Sequence, residues 1–85
     1  MITANLIRAK RTEAGLSQRE LGLSVGFEGI AAPQIISNIE RAKCFPPWNR
    51  VPKFAKALQI DAKEIYRAMY TDEIERLEDT YAGLL

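Results

Sequence analysis

Histidine is absent from these 85 residues, cysteine occurs once, and no phosphate-cradling glycine loop is present. The missing histidine removes the commonest general base and the commonest metal ligand. Cys44 alone can neither close an internal disulfide nor build a cysteine metal cluster. Catalysis is therefore not expected, and neither is a metal or other cofactor. No stretch reaches the roughly 20 consecutive apolar residues of a membrane helix, so no membrane partner is expected. Met1 to Lys10 lacks the apolar core and cleavage site of a secretory leader, which together with the lone thiol points to the cytoplasm.

What is there is ordinary in amount and uneven in placement. Apolar residues make up 47% of the chain, enough for one small core. The net charge is +1, yet residues 1 to 60 carry nine Lys or Arg against four acids, while residues 61 to 85 carry three against seven. A basic body with an acidic tail fits a nucleic-acid footprint or two solvated surfaces equally, and the residue pattern has to decide.

Caps and stops predict six helices and no strand. Thr3 is a good N-cap for a first helix over Ala4 to Ala14, ended by Gly15. Ser17-Gln18-Arg19-Glu20 has the form of a capping box, so a second helix starts at Gln18 and ends at Gly26. Pro33, with φ already helical, opens a third helix that continues to about Arg41. Phe45-Pro46-Pro47 forces a loop, and Pro52 is tolerated in the first turn of a fourth helix starting near Trp48 and ending at Leu58. Asp61 caps a fifth helix reaching about Met69. Thr71 caps a sixth, whose Ile74, Leu77, Tyr81 and Leu84 recur at three- and four-residue intervals, with Asp72, Glu73, Glu75, Glu78 and Asp79 elsewhere on its surface.

Within the third helix Ile36 and Ile39 form an apolar stripe, and Gln34, Ser37, Asn38 and Arg41 fall on or beside the opposite face. Gln and Asn side chains can bond bidentately to adenine N6 and N7, and serine can bond several base edges. Gln34, Ser37 and Asn38 are either the candidate base contacts of a DNA-reading helix or simply the wet face of an amphipathic one. Ile35 either touches a thymine methyl or belongs to the core.

Leu16-Ser17-Gln18-Arg19-Glu20-Leu21 after Ile7-Arg8-x-x-Arg11, then Ile36-Ser37-Asn38-Ile39-Glu40-Arg41 and Phe54-Ala55-Lys56-Ala57-Leu58, resembles the Xre or Cro/C1 family of phage repressors over roughly residues 4 to 66. The resemblance implies an all-α, five-helix, lambda-repressor-like domain whose second and third helices form a helix-turn-helix, with the third in the major groove. It implies that Arg11 and Glu40 form a structural ion pair between the first and third helices, and that Gln18 contacts a backbone phosphate. Arg8, Arg19, Arg41, Lys43, Arg50 and Lys53 supply positive charge around this face, the last five as phosphate contacts. The chain departs from the family pattern in three places. Gly26 to Glu40 is about four residues longer than usual, Pro33 replaces a position often polar, and Ala42 replaces the usual glycine after the third helix.

The expected organisation is a DNA-binding domain over residues 1–69 and an amphipathic acidic C-terminal helix over 70–85. The expected function is a sequence-specific regulator of double-stranded DNA, a repressor acting as a homodimer, because one short reading helix covers few base pairs. Ile74, Leu77, Tyr81 and Leu84 would pair with a second chain or pack back on the chain's own core. The alternative is a protein-interaction module, an antitoxin or anti-regulator that binds a protein partner through the acidic helix.

Overall fold

Four of the five α-helices described among residues 1–83 of the computed structural model end in one way, and those endings set the path of the chain. The helices are α1 (Ile2–Glu13), α2 (Gln18–Ser24), α3 (Ala31–Glu40), α4 (Val51–Leu58) and α5 (Ala62–Gly83), with a 3-10 turn at Trp48–Arg50 leading into α4. The fold is all-α, with no strand among the described residues. After α1, the Gly15 amide donates to the Thr12 carbonyl at 3.0 Å and the Leu16 amide to Arg11 at 3.1 Å. The same pair of bonds follows α2 at Gly26 and Phe27, α3 at Ala42 and Lys43, and α4 at Gln59 and Ile60. Each satisfies two orphan carbonyls, and each needs one residue in the left-handed region.

Gly15 and Gly26 meet that need at φ of +73° and +93°, but Ala42 and Gln59 are held there at 61° and 59°. A side chain in this region carries a steric cost that glycine escapes, only partly offset by glycine's extra chain entropy. Ala42→Gly and Gln59→Gly are each expected to raise stability by about 0.5–1 kcal/mol and the thermal midpoint by a few degrees. Thermal unfolding followed by circular dichroism checks this; a lowered midpoint would contradict the strain at that turn.

Several helix starts differ from the sequence expectation. The capping box at Ser17 and Glu20 is complete in both directions. Helix α3, however, starts at Ala31 rather than near Pro33, so the proline sits in the first turn, where its missing amide has no intrahelical acceptor. Helix α1 starts at Ile2, and Thr3 is a buried residue inside it rather than its cap. The expected fifth and sixth helices are one, because no glycine or proline interrupts residues 62 to 82. Thr71 instead bonds back to the Arg67 carbonyl at 2.9 Å. The expected boundary between residues 69 and 70 thus falls inside a continuous helix rather than between two units.

Asp72, expected on the surface, is buried and supplies the missing cap of α1 from the opposite end of the chain. Its Oδ1 accepts from the Ile2 amide at 2.9 Å and its Oδ2 from the Thr3 amide at 2.8 Å. Burial pushes this carboxyl up, but the Thr3 side chain, the Thr3 and Ile2 amides and the amino-terminal charge together outweigh it and hold the group below the ordinary aspartate range. Asp72→Ala is expected to cost about 2 kcal/mol at neutral pH, since two amides lose their acceptor, and Asp72→Asn less, since one carbonyl oxygen remains. Urea midpoints of the three proteins check the order.

Ile7, Leu21, Ile36, Phe54, Ile65 and Met69, one or two from every helix, meet in the core. Helices α2 and α3 form the most extensive pair. Gly22 permits their approach, for a Cβ there would lie 2.5 Å from the Ala32 carbonyl oxygen. Trp48 stacks on Tyr66, ring centroids 5.3 Å apart, and ties the diproline loop to α5. No described helix is long and apolar enough to cross a membrane.

Candidate nucleic-acid interface

One buried carboxylate fixes how α3 is turned. The Glu40 side chain is wholly buried and accepts from Arg11 Nε at 2.6 Å and Arg11 Nη2 at 3.0 Å, the two-pronged contact that arginine geometry favours. Gln18 Nε2 donates to Glu40 Oε1 at 3.2 Å, and Arg8 Nε lies 3.6 Å from the same oxygen. Arg11 Nη1 also donates to the Leu16 carbonyl at 2.9 Å. Helices α1, α2 and α3 and the first turn therefore meet on one group. Burial is the strongest single influence on Glu40 and pushes its carboxyl up. Hydrogen bonds from Arg11 and Gln18, with the charges of Arg11 and Arg8, outweigh it and hold the group below the ordinary range.

With α3 locked from below, its outer face is left to solvent. Ile36, Ile39 and Glu40 point inward, while Gln34 is exposed and Ser37 and Asn38 are half-buried. Gln34 Nε2 donates to Asn38 Oδ1 at 3.1 Å, so the two amide side chains form a pair one helical turn apart. Of the three expected base contacts, Gln34 and Asn38 are brought together, and Ser37 lies beside them on the helix. Ile35 is half-buried and packs against the core.

The cations divide into free and engaged ones. Arg19, Arg41, Lys43 and Lys53 are exposed. Arg50 is engaged: Nη1 donates to the Val25 carbonyl at 3.1 Å, and the guanidinium lies 4.5 Å from the Phe27 ring centroid. It anchors the carboxyl end of α2, where the helix dipole favours a cation, rather than standing free for a phosphate. Gln18 is likewise occupied by Glu40. The sequence signal for Arg50 was Phe27, an aromatic ring just after α2 that an arginine can cover.

The segment between α2 and α3 ends in a short turn at Gly29 and Ile30. Phe27 is half-buried, Gly29 has φ +61°, and Ile30 is 92% exposed directly before α3. The segment carries Glu28 and no cation.

On α5, Ile74, Leu77 and Tyr81 are exposed and do not pack back on the chain's own core; Leu84 lies outside the described residues. Tyr70, also exposed, extends this stripe toward Trp48, with ring centroids 5.4 Å apart. Its position four residues before Ile74 continues the spacing and was the overlooked signal. Comparison of the chain with protein-family models, with curated proteins and with solved structures finds no significant match.

Proposed function

We propose that this chain is a sequence-specific regulator of double-stranded DNA of the Xre or Cro/C1 type, a cytoplasmic repressor that binds as a homodimer with α3 in the major groove. The observation that carries the reading is the Gln34–Asn38 pair, an outward array of amide donors and acceptors on a helix whose rotation is fixed from beneath by Arg11 and Glu40. Such side chains match adenine edges, and Arg41 continues the same face one turn further on. Exposed Arg19, Arg41, Lys43 and Lys53 provide phosphate contacts.

A second copy completes the site because one short helix reads few base pairs. Tyr70, Ile74, Leu77 and Tyr81 follow the four-three-four spacing of a two-helix seam, which supports pairing through α5. The same stripe, flanked by Glu73 and Glu78, also supports a second reading: an antitoxin or anti-regulator that engages a basic protein partner through α5. Loss of a stable protein complex on truncation after Met69, with indifference to charge removal on α3, would favour that second reading.

The test of DNA binding is affinity for a mixed-sequence duplex as a function of salt. A steep fall is expected, and Arg41→Ala with Lys43→Ala should reduce the logarithmic slope by about two, one per lost phosphate contact. Absent or salt-insensitive binding would contradict the proposal.

A further inference from the structure

We propose that Ile30 is a specificity-determining residue that contacts a thymine methyl at one edge of the site read by α3, an inference that rests on the DNA-binding reading above. Three observations converge on it. Ile30 is 92% exposed, the most exposed large apolar side chain among the described residues, and Phe27 and Ile35, the nearest large apolar residues in the sequence, are half-buried. Next, its place just before α3 is one where folding gains nothing from isoleucine. It makes no side-chain cap, and β-branched apolar residues rank among the poorest at helix starts. Finally, the helix-period spacing of 30, 34 and 38 puts Ile30 on the same face as Gln34 and Asn38, at the amino-terminal end that a reading helix turns toward base edges.

The chemistry of that end selects the ligand atom. Ile30, Ala31 and Pro33 offer no side-chain donor or acceptor, and Pro33 has no amide hydrogen. The major groove displays one apolar group, the C5 methyl of thymine. An adenine read by Gln34 or Asn38 leaves room one or two steps away for a thymine whose methyl Ile30 covers. The added turn at Gly29 starts the helix two residues before Pro33 and brings this side chain onto the reading face.

Removing the apolar group from each partner in turn tests the contact. The probe is a duplex of about 30 base pairs carrying the sequence recovered by selection on the wild-type protein, together with copies in which each thymine in turn is replaced by uracil. Wild type is expected to lose about fourfold in affinity at one thymine per half-site, the equivalent of one buried methyl. Ile30→Ala should bind the parent duplex about fourfold more weakly and be indifferent to uracil at that position, with an unchanged thermal midpoint, since the residue is already 92% exposed. If a specific sequence is recovered but wild type and Ile30→Ala respond alike to every uracil, the Ile30 contact is overturned and the DNA-binding reading stands. Failure to recover any specific sequence overturns both.

Discussion

Arg11→Met is expected to lower stability by about 3 kcal/mol at neutral pH, the scale on which removing one member of a buried ion pair acts. The methionine keeps much of the apolar stem but removes two short hydrogen bonds from a carboxylate with no exposed surface. Gln18 and the more distant Arg8 remain as its partners. The pH dependence should invert as well. In the wild type the Glu40 pKa is lowered below the ordinary 4.5, so its contribution is present above that value and is lost as pH falls through the folded value. Without Arg11, burial dominates and raises the pKa above its unfolded value. The charged form then costs stability at neutral pH, and protonation on acidification relieves it. The penalty in Arg11→Met should therefore shrink between pH 7 and about pH 4. A double variant, Arg11→Met with Glu40→Leu, should recover most of the loss, because no buried charge is left without a partner. Urea unfolding at both pH values measures these differences; a penalty below about 1 kcal/mol, or one that does not change with pH, would show that the pair does not orient α3.

Gln34→Ala combined with Asn38→Ala is expected to abolish most sequence discrimination while leaving the fold intact. Each good bidentate contact to a base supplies about 1–3 kcal/mol of discrimination. The two side chains bond to each other at 3.1 Å, so their effects should not simply add. A loss of roughly 30- to 300-fold on the preferred duplex follows, with mixed-sequence affinity changed less than about threefold, since phosphate contacts carry that part. Stability should move by less than about 0.5 kcal/mol, because neither residue belongs to the core. Competition binding between preferred and mixed duplexes checks both arms. An equal loss on the two duplexes would mean that these side chains set affinity rather than sequence.

Signals that depend on neighbours in the chain were the legible ones. The capping box at Ser17 and the stops at Gly15 and Gly26 are local, and each stands where the residues imply. Asp72 was misread because its role is set by the amides of Ile2 and Thr3, about seventy positions away, and an acid on an amphipathic helix otherwise reads as solvated. Thr71 looked like a cap because threonine caps helices, yet with no breaker around it the helix runs through. Arg50 read as a free cation because the ring of Phe27 and the carbonyl of Val25 approach it only in the folded chain. That Gln34 and Asn38 share the outer face of α3 was legible because helical spacing alone separates the wet face from Ile36 and Ile39.

Selection of bound duplexes from a random-sequence library at about 150 mM salt, where nonspecific phosphate binding is weakened, tests the central claim most directly. The account predicts a two-fold symmetric motif with adenines in each half-site, half-sites spaced by about one helical turn, and its collapse in the Gln34→Ala, Asn38→Ala protein. Recovery of no motif, with only weak and salt-sensitive retention of DNA, would contradict it.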